Sequence, residues 1–247
     1  MKVTVFDYTG AGSPDPARHA ASVLLFTKST RLNMTPDLIE QIKNMPDKEV
    51  TFNLRMMANT NPGSWEFVEF KFLFEGVSRA LQQQLTRSRH ASYAIQTLRI
   101  VDMKKWTYET GPSIKGNVDR EVVYDSTMRN IDHAYKVLIE LGTEVEDARG
   151  ILPLNIKTNM CMKIDMRNFI TLSRKRMSGR VQNEYRLLME AAVIEVEKIY
   201  PWFHIFYKND EMKAYKDLID LVNDSNLTPE EKTSIYKKLD IIKSGLD

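Results

Sequence analysis

From Val68 to Phe74 every second residue is large and apolar: Val68, Phe70, Phe72 and Phe74 alternate with Glu69, Lys71 and Leu73. A period of two is that of a pleated strand, and this one has an apolar face. A face of that kind has to be covered by another layer, so the chain must build a sheet with something packed against it. Val3 and Val5, alternating with Lys2 and Thr4, predict an opening strand, and Thr158 to Ile164 predicts another. Between them the pattern changes to helical spacing. Thr35-Pro36-Asp37 predicts a short helix to about Met45, Val77-Leu81-Leu85 a second, and Ser126 to Leu141 an amphipathic one ended by Gly142. Gly10, Gly12, Pro14 and Pro16 are read as a loop. Thr143 with Glu146 forms a capping-box pattern ahead of Arg149, and Asp165 can cap a helix that Ser178-Gly179 separates from a long one running to Pro201. Thr228-Pro229-Glu230-Glu231 opens a last helix. The fold class expected is α+β: a mixed sheet with packed helices in one domain, 1–205, followed by an acidic helical extension, 206–247.

The formal charge of the 247 residues is only +2, but its distribution is uneven. Residues 79–105 carry six cations against one acid, and residues 167–186 carry six against one, each summing to +5. From Leu187 onward there is no arginine, and eight lysines against twelve acids give −4. Arginine presents a planar fork of donors that matches phosphate and carboxylate, so two arginine-rich segments point to an anionic ligand.

Several chemistries are poorly served. Cys161 is the single cysteine, inside the apolar run Met160-Cys161-Met162, which suits a small buried hydrophobe better than a nucleophile and excludes an internal disulfide. His19, His90, His133 and His204 are scattered without metal-ligand spacing, and His90, beside Arg89, is the one to keep near a site. There is no glycine-rich phosphate cradle, no calcium loop and no spacing that marks paired acid/base carboxylates. Catalysis by this chain therefore needs a cofactor for the hard step, with the protein binding, orienting and polarising. A mean hydropathy of −0.38, no long apolar run and no secretory pattern at the N-terminus lead to the expectation of a soluble cytoplasmic protein with no membrane partner.

The stretch Gln84-Leu85-Thr86-Arg87-Ser88-Arg89-His90-Ala91-Ser92-Tyr93-Ala94-Ile95-Gln96-Thr97-Leu98-Arg99 resembles the signature of the flavin-dependent thymidylate synthases, in which Arg-His-Arg is followed after seven residues by Ser and then Arg. Ala148-Arg149-Gly150-Ile151-Leu152-Pro153 is similar to that family's Ala-Arg-x-x-Leu-Pro. Asp165 through Arg176 to Gln182-Asn183-Glu184 resembles its Asn-x-Arg, Leu-Arg and Ala-Gln-x-Glu elements. The three blocks come in the family's order, and the resemblance as a whole covers roughly residues 1–205.

The resemblance implies a homotetramer with shared active sites, the cofactors FAD, NADPH and methylenetetrahydrofolate, and methylation of dUMP at C5 to dTMP without an enzymic thiolate. By the same carry-over Arg176 is the catalytic residue, contacting the pyrimidine and favouring its N3-deprotonated form. Gln84, Arg87, Gln96, Thr97, Leu98, Arg99, Arg149 and Arg176 would bind dUMP, with Arg149 on its phosphate. Ser64, Arg87, Ser88, Arg89, Asp165, Arg167 and Thr171 would bind FAD, and no metal is expected. Departures mark a divergent member: Ser88 stands at the middle His, Ile95 at a Glu, Thr97 at the Ser, Ile100 at an aromatic and Asp165 at an Asn, and Asn61-Pro62-Gly63 occupies a loop where His is frequent. These leave open a same-fold enzyme acting on UMP or dCMP, or delivering hydroxymethyl. A reading from another class makes the arginine segments a nucleic-acid face with Tyr93 and Trp106 as stacking partners.

Overall fold

The computed structural model describes residues 1–60, 62–98, 106–177, 181–207 and 218–244. Four antiparallel strands, β1 (Lys2–Tyr8), β2 (Glu69–Ser78), β3 (Ser92–Ile95) and β4 (Lys157–Asp165), lie in the spatial order β1-β2-β4-β3. The sheet is therefore antiparallel rather than mixed. Phe70, Phe72 and Phe74 sit opposite Ile164, Met162 and Met160, and all six are buried. Each contributes about 1.5–3 kcal/mol by leaving water, so this shared face is the principal reason for the register. Cys161 pairs with Leu73 on the opposite face and is half-buried, more accessible than its apolar run suggested.

Among the described residues up to Pro201 the α-helices are α1 (Pro16–Lys28), α2 (Pro36–Lys43), α3 (Asp47–Ala58), α4 (Arg79–Leu85), α5 (Val118–Glu140), α6 (Val145–Ala148), α7 (Met166–Arg176) and α8 (Asn183–Ile199). Phe169 of α7 packs against Phe70 and Phe72, with ring centroids 5.5 and 5.1 Å apart, and this seats α7 on the sheet. Asp165 caps it by accepting from the Asn168 backbone N–H at 2.9 Å. With eleven residues, α7 is a rod of roughly 16 Å whose two ends reach different places.

Three elements depart from the expectations. The proposed loop gives way at Pro16 to α1, because Asp15 accepts from Arg18 N–H at 2.8 Å and Pro is tolerated at the first helical position. Gly10 and Gly12 do turn the chain ahead of it with positive φ, and a Cβ on Gly10 would meet His19 and the Pro16 carbonyl at 3.1 Å. The Val77 spacing straddles a boundary: Val77 and Ser78 end β2, and α4 begins at Arg79 with Ser78 as its cap. α5 begins at Val118, eight residues before Ser126, since Asn117 caps it. Thr35 and Thr143 supply no capping bond to α2 or α6.

The chain divides into two compact units, Met1–Pro201 and Trp202–Asp247. In the second, Trp202 meets Phe206 edge-on and Phe203 stacks on Tyr207. Its helix Pro229–Ser244 opens with the expected capping box, Thr228 and Glu231 bonding each other reciprocally.

Candidate active site

α4 and the two ends of α7 set out the functional side chains. At the C-terminal end of α7, Arg176 joins Gln84 and Gln83 of α4, Arg87 just beyond it, Ala80 and Leu154 around a cleft of about 360 Å³. The Arg176 guanidinium lies over the Tyr185 ring, 4.9 Å from its centroid. Tyr185 is wholly buried on α8, and burial pushes its phenol pKa up. Its hydroxyl is near Ser88 and Arg176, with neither in good hydrogen-bonding geometry. The Arg176 Nε is likewise buried without a hydrogen-bond partner. A guanidinium over an aromatic face is held by the ring's negative quadrupole, and this one also lines the cleft.

The Gln-x-Glu block ties α8 to α4. Gln84 donates to the Gln182 side-chain oxygen. Glu184 accepts from the Ser78 backbone N–H at 2.7 Å and from the Ser78 hydroxyl at 2.6 Å, while the Ser78 oxygen accepts from Leu81 N–H. The sequence block is thus a buttress beneath the helix that presents Gln84 and Arg87.

Of the remaining residues expected at a nucleotide, Gln96 is held by β4, its N–H donating to the Asn159 carbonyl at 3.0 Å, and its own carbonyl accepts from Arg79 at 2.7 Å. Thr97 is exposed and Leu98 half-buried beside it, and Arg99 lies outside the described residues. Arg149, half-buried after α6, donates from Nε to the Glu146 carbonyl at 3.1 Å. Among the described residues no carboxylate forms an ion pair with Arg79, Arg87, Arg149 or Arg176.

The residues expected at FAD fall in two groups. Arg87, Ser88 and Arg89 follow α4 near the cleft, the two arginines exposed. Asp165, Arg167 and Thr171 lie on or before the first half of α7, toward the segment of Ser64. There Arg167 pairs with Glu66, Thr171 bonds back to the Arg167 carbonyl at 3.0 Å, and Asp165 is engaged in capping. Arg167, two residues from Asp165, is therefore answered by Glu66. Ser64 differs: its hydroxyl is buried with no hydrogen-bond partner, on a cleft of about 750 Å³ lined also by Ser29, Thr30, Arg31 and Thr60. A buried orphan hydroxyl among other hydroxyls and a guanidinium fits a phosphate-bearing cofactor. His90 is exposed beyond Arg89, and His133 is exposed on α5.

Arg79 and Tyr185 were not singled out from sequence. Arg79 is one cation among the six of residues 79–105, and Tyr185 lies in the long helix before Pro201 with no motif to mark it.

The fold and site define a class: an α+β protein that gathers arginines at helix ends, an arrangement whose charge and donor geometry suit an anionic ligand. Residues 5–202 match the model of the family described as thymidylate synthase complementing protein. The chain is similar to a flavin-dependent thymidylate synthase of Clostridium tetani, 29% identical over 219 residues that cover 81% of this chain and 84% of that protein. Another such synthase, from Geobacter sulfurreducens, is 29% identical over 190 residues, 76% of this chain and 78% of the relative. One from Saccharolobus solfataricus is 31% identical over 164 residues, 64% of this chain and 62% of the relative. The chain belongs to the thymidylate synthase complementing protein family, the family of the flavin-dependent thymidylate synthases, as a divergent member.

Proposed function

We propose that the protein methylates dUMP at C5 to give dTMP, with methylenetetrahydrofolate as carbon donor and NADPH-reduced FAD as hydride source. The observation that carries this reading is the cleft where Gln84, Arg87 and Arg176 meet, since these come from two separate sequence blocks that the family shares. Ser64 and the hydroxyl-lined cleft beside it would hold one part of FAD, with Asp165, Arg167 and Thr171 beyond, and Arg87, Ser88 and Arg89 another. When bound and reduced, FAD supplies the hydride that completes the methyl group.

The chain's own residues then have defined tasks. Arg149 binds the nucleotide phosphate, Gln96, Thr97 and Leu98 complete the nucleotide pocket with Arg99, which lies outside the described residues, and Gln84 donates to the base while Gln182 orients it. Arg176, steadied by Tyr185, places a permanent cation beside N3 and its neighbouring carbonyl oxygen, where negative charge develops on the ring. No thiolate is required, in keeping with Cys161 lying on a strand of the sheet. The family-type domain is residues 1–205, with the acidic extension 206–247 outside it, and the working assembly is a homotetramer with shared sites.

A second reading is favoured by Ile95, half-buried and paired with Met160 where a Glu is usual, and by Ser88: the same fold turning over UMP or dCMP, or releasing a hydroxymethyl product. Nucleic-acid binding is disfavoured, because residues 5–202 match the thymidylate synthase complementing protein family. Two measurements test the proposal: an absorbance spectrum in the flavin bands, and mass spectrometry of products from a panel of pyrimidine nucleotides. Expected are a bound flavin and dTMP from dUMP. Failure to take up FAD refutes the proposal, and a product from another nucleotide selects the second reading.

A further inference from the structure

Arg87 and Arg89 stand on the turn 86–91 between α4 and β3. Arg87 lines the cleft with Gln84 and Arg176. Among the described residues neither guanidinium of the turn forms an ion pair. A site residue carried by a turn is placed only as well as that turn is held, so the bonds that hold this one decide where Arg87 reaches.

Most of those bonds are local. The Thr86, Arg87 and Ser88 N–H groups donate back to the Gln82, Gln84 and Leu85 carbonyls at 3.1, 3.3 and 3.0 Å, and the Thr86 hydroxyl donates to Gln82. Bonds of that kind fray together with the helix end that supplies them. Among the described residues, one side chain reaches the turn from the sheet. The Tyr93 hydroxyl donates to the Leu85 carbonyl at 2.8 Å and to the Ser88 carbonyl at 3.0 Å, sharing its proton between acceptors on either side of Arg87. Tyr93 itself is fixed in β3 opposite buried Met162. Burial pushes its phenol pKa up to about 12, so the hydroxyl remains a donor at neutral pH.

We infer that Tyr93 is a positioning residue: its hydroxyl clasps the turn from Leu85 to Ser88 onto the sheet and so holds the Arg87 guanidinium at the cleft. This rests on the reading of the cleft as a nucleotide site, and it gives the tyrosine a task that neither the arginine spacing nor the cleft lining marks. The ring alone can fill its place in β3, but the clasp needs the O–H. Tyr200 offers a comparison within the same compact unit as far as Pro201: its buried ring also donates to a backbone carbonyl, that of Thr9, and neither residue lines the cleft.

Equilibrium dialysis of dUMP and FAD against the purified full-length protein tests it, with wild type, Y93F, R87Q, the double variant and Y200F, each at a temperature where its urea titration shows it folded. Y93F is expected to weaken binding about 3- to 12-fold, the worth of one neutral hydrogen bond, while Y200F stays within about twofold. In the R87Q background Y93F should add less than about twofold, because the group that it places is gone. Hydrogen exchange of the ligand-free protein gives a second readout: the amides of 86–89 should exchange faster in Y93F and not in Y200F. Wild-type affinity in Y93F, the same loss with and without Arg87, an equal loss in Y200F or unchanged exchange would each overturn the inference. If wild type binds only one of the two ligands, that arm decides by the same comparison and the reading of the other fails. If it binds neither, the reading of the cleft fails and the inference falls with it.

Discussion

Replacing Glu184 by Ala removes two hydrogen bonds at once, at 2.7 and 2.6 Å, from a Ser78 that is 2% exposed. A bond to a charged acceptor contributes about 1.5–3 kcal/mol, and a buried donor left alone costs about 1–3 kcal/mol. The two losses share one acceptor and are not additive, so the expected destabilisation of E184A is about 2–4 kcal/mol. For a chain of this size that is a fall in Tm of about 4–16 °C. E184Q keeps an acceptor for the Ser78 backbone and should lose about half as much. Urea unfolding followed by intrinsic tryptophan fluorescence and a thermal melt would measure both variants, and S78A with the double variant would close a cycle. If the reasoning holds, S78A and E184A couple by more than about 1 kcal/mol. Stability of E184A within about 0.5 kcal/mol of wild type, or strict additivity with S78A, would refute the buttress. Because Ser78 caps the helix that carries Gln84, nucleotide affinity should fall further in E184A than in E184Q.

Three other variants probe the site and its surroundings. R176A should abolish turnover while leaving the flavin absorbance of the purified protein unchanged; retained turnover would remove its assigned role. For Tyr185 the ring matters and the hydroxyl does not, so Y185F should keep kcat within about twofold, whereas Y185L should lower it about 2- to 30-fold, the range of a cation–π contact of about 0.5–2 kcal/mol. The reverse order in steady-state assays would show that the hydroxyl is the functional part. At Glu109, burial pushes the carboxyl pKa up, but hydrogen bonds and charges from Lys157 and Lys115 outweigh it and leave the pKa below the usual value. A folded-state pKa lowered in this way gives stability that is present above the ordinary carboxylate range and lost as pH falls through the folded value. The stability gap between wild type and E109Q should therefore narrow from pH 6 to pH 3 in urea titrations, and a constant gap would contradict the linkage.

Much of this was legible in the residues themselves. The alternation through Phe74 and the Met160-Met162 run identify two strands by period alone, and the structure pairs them residue for residue through one apolar face. Asp165 announces a helix start because a carboxylate there can satisfy an amide that the helix leaves orphaned, and it does so for Asn168. The arginine blocks and the Gln-x-Glu block were visible as types and spacings. What they touch was not. α1 was hidden because Asp15-Pro16 carries a helix start inside a run of turn residues, and local signals of both kinds compete until Ala20, Ala21, Leu24 and Leu25 find a core. α4 was placed two residues early because an apolar spacing of four does not say where a strand stops.

The sequence by itself determined the repertoire: an α+β chain with arginines enough to hold anions and no thiol suited to attack, belonging to a family that its ordered motifs identify. Tertiary structure decided the partners. Arg167 and Arg176 stand on one helix, yet the first is answered by Glu66 and the second lies on Tyr185 beside the cleft. Arg79 on α4 and Gln96 just past β3 meet where the Arg79 guanidinium donates to the Gln96 carbonyl at 2.7 Å. Charge and hydrogen-bonding capacity belong to a residue, but their energy depends on distance and burial, and these exist only once the sheet has set its helices in place.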